Sequence, residues 1–412
     1  MVEVGLELEA TKSFKTRGKN MKDFKYYTPT FVRFGKGTEN ETGELLKRFG
    51  AHSVLVLYGS ERVVENGLLG DILDQMDELG ITHIQLGGVV PNPRLSKVRE
   101  GIALGKENNV DFVLAVGGGS VIDTAKAVGY GLPDEGDVWD FYKKIRKPVT
   151  AVPVGCVLTL SATGSVMSDS SVISNEETGE KLGVNSDLCR PCFAVMDPQL
   201  TMSVGRYQTA AGSTDIIMHT LERFFNKEGN LDLTDMIAGS VIRTVMANTP
   251  KALEDPENYE ARAEIMWAEA LSHNGLTGCG GDGGDWACHK MEHELSAMYD
   301  VAHGAGLAAI WGTWARYVYK DLPDRFYKFA VDIMDVEPEE DKEKVILKGI
   351  EKMEGFFSSI GMPLSIRQLG PDPDEEALNA LADNCERSVG GAVGSARRLN
   401  REDMYNIYKL AL

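Results

Sequence analysis

Short apolar runs alternate with helical patterns through the first third of the chain. Residues 53–58, 83–87 and 112–116 are strand-like runs, and residues 63–79 and 95–108 between them repeat with the period of an amphipathic helix. Continuous apolar strands separated by helices are typical of a parallel sheet covered on both faces. The pattern therefore predicts a doubly wound, mostly parallel α/β sheet.

Four further segments extend the strand pattern. Residues 28–35 alternate apolar and polar side chains, residues 149–155 form another apolar run, and residues 172–184 indicate a hairpin around a Thr-Gly turn. Residues 193–197 close the strand-rich half, because helical periodicity alone continues beyond about residue 200.

This change in periodicity predicts the domain organisation. We expect an N-terminal extension over residues 1–24, a dinucleotide-binding α/β domain over residues 25–200, and an all-helical, metal-binding domain over residues 201–412.

A glycine loop follows the run that ends at Val116. It comprises Gly117, Gly118, Gly119 and Ser120, with Asp123 one turn into the next predicted helix. Glycines between a strand and a helix let backbone N–H groups approach a pyrophosphate at the helix N-terminus. A glycine-rich turn without a ligand is the alternative, since neither the Gly-x-Gly-x-x-Gly fingerprint nor a P-loop is present.

Histidines at helical spacing point to a metal site. Asp215 and His219 are four residues apart in one predicted helix, His289 and His293 are four apart in another, and His303 follows before a glycine. Imidazole nitrogens with one carboxylate oxygen suit a divalent transition metal and leave room for a substrate oxygen. The alternative is that these are ordinary helical histidines paired by chance.

Composition and charge indicate which classes of binding partner to expect. The 412 residues include 43 Lys and Arg against 62 Asp and Glu, for a formal charge of -19, which repels nucleic acid and anionic membranes. The N-terminus lacks the apolar core of a signal peptide, and no 18-residue apolar stretch follows, so we expect a cytoplasmic protein with no membrane partner. Six cysteines, including Cys189 and Cys192, are expected to be reduced thiols.

Taken together, three motifs resemble the iron-containing (group III) alcohol dehydrogenase family, particularly its NADPH-dependent butanol dehydrogenase branch. They are Gly-Gly-Gly-Ser-x-x-Asp at 117–123, Asp-x3-His at 215–219, and His-x3-His-x9-His-Gly at 289–304, and the resemblance covers about residues 24–412. It implies the fold shared with dehydroquinate synthase: a Rossmann-like N-terminal domain, an all-α C-terminal domain and an active site between them.

The resemblance also implies roles for individual residues. The metal, expected to be Fe²⁺ although Zn²⁺ or Ni²⁺ could replace it, would be held by Asp215, His219, His289 and His303, with His293 close by. Because the His293 ring faces the same side of its helix as His289, it is our candidate proton relay, and the alternative is that it packs against the ligands or supports them. The residues implied in dinucleotide binding are Gly118, Gly119, Ser120 and Asp123, with Thr159 and Thr163 beside the nicotinamide, Lys181 at the ribose and Asn92 near the adenosine half.

Two loops depart from the family pattern. Val166 and Ser168 stand where many relatives have Glu and a polar amide, which puts nicotinamide contacts there in doubt. After the first nucleotide-binding strand comes Gly59-Ser60-Glu61-Arg62, with no carboxylate at Ser60 to repel a 2′-phosphate, and Arg62 could pair with that phosphate, although Glu61 opposes it. We therefore favour NADP(H) over NAD(H).

The expected activity is the interconversion of small primary alcohols and aldehydes, as with butanol and butanal, by a homodimer or larger homo-oligomer. Phe141, Trp286 and Met298 suggest an apolar substrate pocket, and the alternative for each is a place in the core. A dehydroquinate synthase-like enzyme is one alternative, but it would need several Lys and Arg in the cleft, whereas mainly apolar and small residues flank the motifs. A non-catalytic nucleotide-binding protein is the other.

Overall fold

A parallel sheet of six strands forms the centre of the first half of the computed structural model, which describes residues 21–227 and 231–412. The strands are β1 (Phe31–Phe34), β2 (Ser53–Tyr58), β3 (Thr82–Leu86), β4 (Phe112–Gly117), β5 (Val154–Leu158), β6 (Ser170–Asn175), β7 (Glu180–Asn185) and β8 (Phe193–Met196). Their order in the sheet is β1-β8-β5-β4-β2-β3, while β6 and β7 pair separately as the predicted antiparallel hairpin.

Both faces of this sheet are buried. In β2, Leu55 and Leu57 belong to one apolar core, whereas Val54 and Val56 belong to the other. Successive side chains of a strand point to opposite faces, so a run without polar residues is what two covered faces require. The predicted parallel α/β sheet is confirmed.

Six helices accompany the strands: α1 (Thr42–Arg48), α2 (Arg62–Glu65), α3 (Leu68–Glu78), α4 (Leu95–Glu107), α5 (Gly119–Gly131) and α6 (Trp139–Tyr142). The continuous helix predicted over residues 63–79 is wrong, because Gly67 adopts φ 86° and separates α2 from α3. A left-handed residue of this kind ends one helix and redirects the chain into the next.

The strand predicted over residues 149–155 is also displaced. Strand β5 begins at Val154 and continues to Leu158, in register with Val113 to Gly117 of β4. Pro153 has no N–H to give to a neighbouring strand, and Val149 is 86% exposed. Apolar character alone therefore placed the start of this strand at residue 149, five residues before Val154.

In the second half, residues 206–227 and 231–412 contain ten α-helices: α7 (Arg206–Phe224), α8 (Asp232–Glu254), α9 (Tyr259–Ser272), α10 (Ala287–Tyr299), α11 (His303–Val318), α12 (Pro323–Lys328), α13 (Lys342–Ser359), α14 (Ile366–Leu369), α15 (Glu375–Val389) and α16 (Arg401–Leu410). They share one apolar core, in which the rings of Phe225 and Phe326 stack with centroids 4.3 Å apart. The predicted all-helical second half is confirmed for the described residues.

The remaining sequence predictions outside the site concern the cysteines, the N-terminal extension and the domain division. All six cysteines are free thiols. Most of the predicted extension, residues 1–20, lies outside the described residues, and the division into domains near residue 200 stays a prediction. No described helix is long and apolar enough to cross a membrane.

Candidate active site

A deep cleft opens where β2, β4 and β5 end and α7, α10 and α11 face them. Its volume is about 1430 Å³. The chain leaves β2 for β3 on one side and returns through β4 on the other, so the cleft lies at the point where the strand order reverses. In open α/β sheets this is where ligands bind.

The glycine loop lines the cleft where β4 meets α5. A Cβ on Gly119 would lie 2.3 Å from Thr163 Oγ1, and a Cβ on Gly117 would lie 2.4 Å from a methyl group of Val121. Glycine is therefore required here by close packing of the loop. The N-terminus of α5, with its unpaired backbone N–H groups, is thereby held at the cleft wall.

Asp123 connects this loop to its neighbours. Its Oδ1 accepts a hydrogen bond from Ser165 Oγ at 2.5 Å, and its Oδ2 accepts from the backbone N–H of Val172 at 2.9 Å. Burial raises the pKa of the carboxyl group above its ordinary value. In the structure Asp123 positions the loop and the hairpin, and a direct contact with the dinucleotide stays a prediction.

The other predicted dinucleotide residues also line the cleft: Gly59, Ser60, Arg62, Asn92, Thr159, Thr163 and Lys181. Arg62 Nη1 donates to the carbonyl oxygen of Ser203 at 2.8 Å. Lys181 Nζ donates to Asn92 Oδ1 at 2.9 Å, and Asn92 Nδ2 donates to Asp300 Oδ1 at 2.9 Å. Asn92 and Lys181 thus connect the first half of the chain with the end of α10.

The four predicted metal ligands meet on the opposite wall. Asp215 Oδ1 is 3.2 Å from His219 Nδ1, 3.6 Å from His289 Nε2 and 3.7 Å from His303 Nε2. Ligand atoms about 2.1 Å from one tetrahedral ion lie roughly 3.4 Å from each other, so the spacing matches a shared ion. Helices α7, α10 and α11 contribute these side chains.

Unsatisfied polar atoms support the same interpretation. Asp215 Oδ1, His219 Nδ1 and His289 Nε2 are buried and have no hydrogen-bond partner among the described residues. Leaving such atoms unpaired costs free energy, whereas a cation would satisfy all of them at once. The residues therefore fit a divalent metal.

Two carboxylates orient His289 and His303 by contacting the Nδ1 atom of each ring. Glu222 Oε1 lies 3.0 Å from His289 Nδ1, and Glu292 Oε2 contacts His303 Nδ1. A protonated Nδ1 that donates to a carboxylate leaves Nε2 with a free lone pair, the form that binds metals. Burial lowers the pKa of His289, but the contacts with Asp215 and Glu222 outweigh it and leave the pKa above its ordinary value.

Comparison with known proteins agrees with this arrangement. Residues 29–198 match the family model for iron-containing alcohol dehydrogenase, and residues 209–412 match the C-terminal model of the Fe-containing alcohol dehydrogenase family. The chain belongs to the iron-containing alcohol dehydrogenase family. It is thus an oxidoreductase by family, with NAD(P) and a metal as the family's cofactors.

Several relatives in this family match over nearly full length. NADH-dependent butanol dehydrogenase A of Clostridium acetobutylicum is 41% identical over 94% of this chain and 99% of the relative. NADPH-dependent aldehyde reductase YqhD of Escherichia coli is 34% identical over 95% and 100%. The crystal structure of NADH-dependent butanol dehydrogenase A of Thermotoga maritima has a TM-score of 0.91 at 40% identity, covering 95% of this chain and 99% of that one.

Within the cleft of this alcohol dehydrogenase, two further histidines flank the ligands. The His293 ring lies 5.7 Å from the His303 ring, and the His273 ring lies 4.0 Å from the His219 ring. Burial lowers the pKa of both His293 and His273 well below the ordinary value. The low pKa favours the neutral form of each imidazole, and this form is compatible with proton exchange and with packing.

Sequence reasoning missed three of the groups around the metal ligands. Glu222 and Glu292 each lie three residues after a ligand on the same helix, a spacing that could have been used to find them. His273 had no comparable signal, because it follows the end of α9 and only packing brings it to His219.

In the first of the two loops that depart from the family pattern, both residues make structural contacts. Val166 is fully buried, and Ser168 Oγ lies 3.1 Å from Lys126 Nζ, so Ser168 helps to satisfy a buried lysine.

Charges along the cleft differ from the expectation of an apolar and small-residue lining. Eight of its lining side chains are basic and three are acidic, in a chain of net charge -19. The basic residues are Arg62, Lys144, Arg146, Lys147, Lys181, Arg190, Arg223 and Lys290, and the acidic ones are Asp123, Asp169 and Asp215. Phe141 and Trp286 do line the cleft, but Met298 does not and is 37% exposed, so its assignment to the pocket was wrong.

Proposed function

We propose that this protein interconverts primary alcohols and aldehydes of butanol size by hydride transfer with NADP(H), using one Fe²⁺ ion held by Asp215, His219, His289 and His303. The observation that carries the proposal is the approach of three imidazole nitrogens to one carboxylate oxygen in the cleft that the glycine loop also lines. When bound, the ion would polarise the substrate oxygen as a Lewis acid.

The chain's own groups supply orientation and proton exchange. Glu222 and Glu292 keep two imidazoles in the metal-binding tautomer. The loop before α5 would hold the dinucleotide in the same cleft as the metal ligands, and the bound nicotinamide would supply or accept the hydride. Hydride transfer itself is the chemistry of the cofactor.

His293 is the proposed proton relay. It is buried, lines the cleft and lies beside His303 without a hydrogen bond to any described residue that would occupy its ring. Its group with Glu292 and His303 falls within 4.8 Å, but Glu292 already binds His303 Nδ1, so we assign the ion to the Asp215 side.

Replacing His293 by Asn tests that role. We expect kcat to fall roughly 100-fold, as for loss of a general acid, while the metal content stays near that of the wild type. Loss of the metal in this variant would mean that His293 is a ligand instead.

The choice of nucleotide depends on the loop after β2. Ser60 places no carboxylate against a 2′-phosphate, and Arg62 lines the cleft with one nitrogen bound to Ser203 O. The relatives named above include both NADH-dependent and NADPH-dependent enzymes. The proposal of NADP(H) therefore depends on this loop, and a kcat/KM ratio for NADPH over NADH below one would contradict it.

The activity is tested directly with butanal and NADPH. Protein stripped with a chelator should be inactive, and activity should return on anaerobic addition of Fe²⁺. Asp215→Asn should bind metal poorly and remain inactive, whereas the matched control His52→Gln, at an exposed histidine, should behave as wild type. Full activity of the stripped protein would overturn the proposal.

The same proposal includes the domain organisation and the assembly of the protein. We propose the domain division near residue 200, which leaves the cleft between an α/β half and a helical half, and assembly as a homodimer or larger homo-oligomer in the cytoplasm. Equilibrium sedimentation of the full chain checks the assembly.

A further inference from the structure

Two cations stand beside the metal ligands on the ligand-bearing helices. Arg223 follows His219 by four residues on α7, and Lys290 directly follows His289 on α10. Both line the cleft. Neither has a carboxylate oxygen within 4.0 Å in the described part of the chain, whereas Arg146, Lys181 and Arg190 in the same cleft each do.

Within the described residues, only one guanidinium nitrogen of Arg223, Nη1, donates hydrogen bonds to the protein. Its Nη1 donates to the carbonyl oxygens of His219 at 2.9 Å and Ser272 at 3.2 Å, and its guanidinium lies 4.6 Å from the centre of the Trp286 ring. A guanidinium has five N–H donors, and those on Nε and Nη2 have no acceptor among residues 21–227 and 231–412. The remaining donors are available to a ligand.

Lys290 has no hydrogen bond to any described residue. It is half-buried, and the carboxylates that influence it, Glu294 and Glu222, act from more than 4.0 Å away. Lys290 lines the cleft together with His293, which follows it by three residues on α10.

The acidic residues of the cleft do not neutralise these two cations. Asp215 belongs to the metal cluster, and Asp123 accepts from Ser165 and Val172. Asp169 lies 3.9 Å from Arg190 and attracts Arg223 only from more than 4.0 Å away. A neutral alkyl chain bound here would remove water from Arg223 and Lys290 without replacing it, which is costly.

We propose that the substrate is an aldehyde or primary alcohol whose far end carries an oxyanion, a carboxylate, sulfonate or phosphonate, bound by Lys290 and Arg223. The inference rests on the proposed function, because the metal cluster fixes which end of the substrate reacts. The reaction is unchanged: the aldehyde carbon accepts hydride from the reduced nicotinamide, which is thereby oxidised, and the aldehyde oxygen accepts a proton that His293 relays from solvent. Charge-assisted hydrogen bonds to an oxyanion satisfy the free donors.

The test compares each anion with its own neutral ester. The metal-loaded enzyme is assayed with 4-oxobutanoate against methyl 4-oxobutanoate, and with phosphonoacetaldehyde against its dimethyl ester, which distinguishes carboxylate from phosphonate. We expect kcat/KM for at least one anion to exceed that of its ester by roughly 10- to 100-fold, the effect of a hydrogen bond to a charged group. Lys290→Met should reduce this ratio mainly through KM, and Lys290→Arg should restore it.

Controls separate charge recognition from folding and from cofactor binding. Lys47→Met removes an exposed lysine far along the chain from the site and should leave the ratio unchanged. Binding of succinate against succinamide, measured by calorimetry in the presence of NADP, gives a readout that needs no turnover. Melting temperature shows whether Lys290→Met is folded.

The outcomes are distinct. An anion-to-ester ratio near one, or the same ratio in Lys290→Met, overturns the inference while butanal turnover keeps the proposed function. An equal loss of NADPH affinity in Lys290→Met also overturns it, since the lysine would then serve the cofactor. If no aldehyde is reduced, the proposed function fails, and preference for succinate over succinamide that is lost in Lys290→Met still supports the anion site.

Discussion

Replacing Glu222 by Gln should weaken metal binding with little change in the shape of the site. Glu222 Oε1 accepts two hydrogen bonds from one residue, the backbone N–H of His289 and its ring Nδ1, both at 3.0 Å. The amide oxygen of Gln can accept the same bonds, but the negative charge that strengthens the imidazole as a ligand is lost.

The expected magnitude follows from the burial of this contact. Glu222 and His289 are 2% and 3% exposed, so solvent does not screen the pair. Removal of a carboxylate behind a ligand histidine typically costs 10- to 100-fold in metal affinity, or about 1.4 to 2.7 kcal/mol. Glu222→Ala should cost more, because two buried donors of His289 then lose their acceptor at about 1–3 kcal/mol each.

The assay is competition with a chromophoric chelator for Zn²⁺, which avoids oxidation of iron. Glu78→Gln, at an exposed position of α3, is the matched control and should bind the metal as the wild type does. Unfolding of the metal-free variants is followed in parallel. A lower melting temperature for Glu222→Gln with an unchanged metal dissociation constant would refute the reasoning, because the carboxylate would then serve the fold alone.

Three other changes have clear expectations. Ser60→Asp should lower kcat/KM for NADPH at least tenfold relative to NADH, since a carboxylate there repels a 2′-phosphate, and an unchanged ratio would place the phosphate elsewhere. Gly119→Ala should destabilise the protein by about 1–3 kcal/mol and weaken cofactor binding through the clash with Thr163, whereas Gly70→Ala, with open space around it, should be neutral or stabilising in thermal unfolding. Burial raises the pKa of Glu269 to about 8. Between about pH 4.5 and 8 this acid is ionised in the unfolded chain but protonated in the folded one, so the stability of the wild type falls as the pH rises through that window. The melting temperature of Glu269→Gln should therefore rise relative to that of the wild type over the same window, and a pH-independent difference would contradict the raised pKa.

Local spacing was sufficient for much of the architecture and for the ligand candidates. The strands of the sheet follow from short apolar runs, because both faces are buried and no alternation is needed. The pairs Asp215 with His219 and His289 with His293 follow from the helical repeat, which puts residues four apart on one face.

Predictions from local sequence failed where a contact with another segment, or the conformation of a single residue, determines the structure. The strand expected from residue 149 begins at Val154, because pairing with β4 selects which part of the apolar segment becomes a strand. The helix expected across Gly67 is divided, because a single left-handed residue overrides the periodicity on either side. The carboxylates Glu222 and Glu292 behind the ligand histidines, and the cations Arg223 and Lys290 in the cleft, were not recognised. Their polarity is equally compatible with an exposed helix face.

Assembly of the site depends on packing between distant segments. Asp215 and His289 are separated by more than seventy positions, and their contact exists because α7, α10 and α11 share one apolar core. Side-chain spacing within a helix determines which residues face the same way, but it carries no information about which helix they meet. That is settled by the burial of apolar surface across the whole helical half, and the same packing turns Arg223 and Lys290 from ordinary helix charges into lining of the active-site cleft.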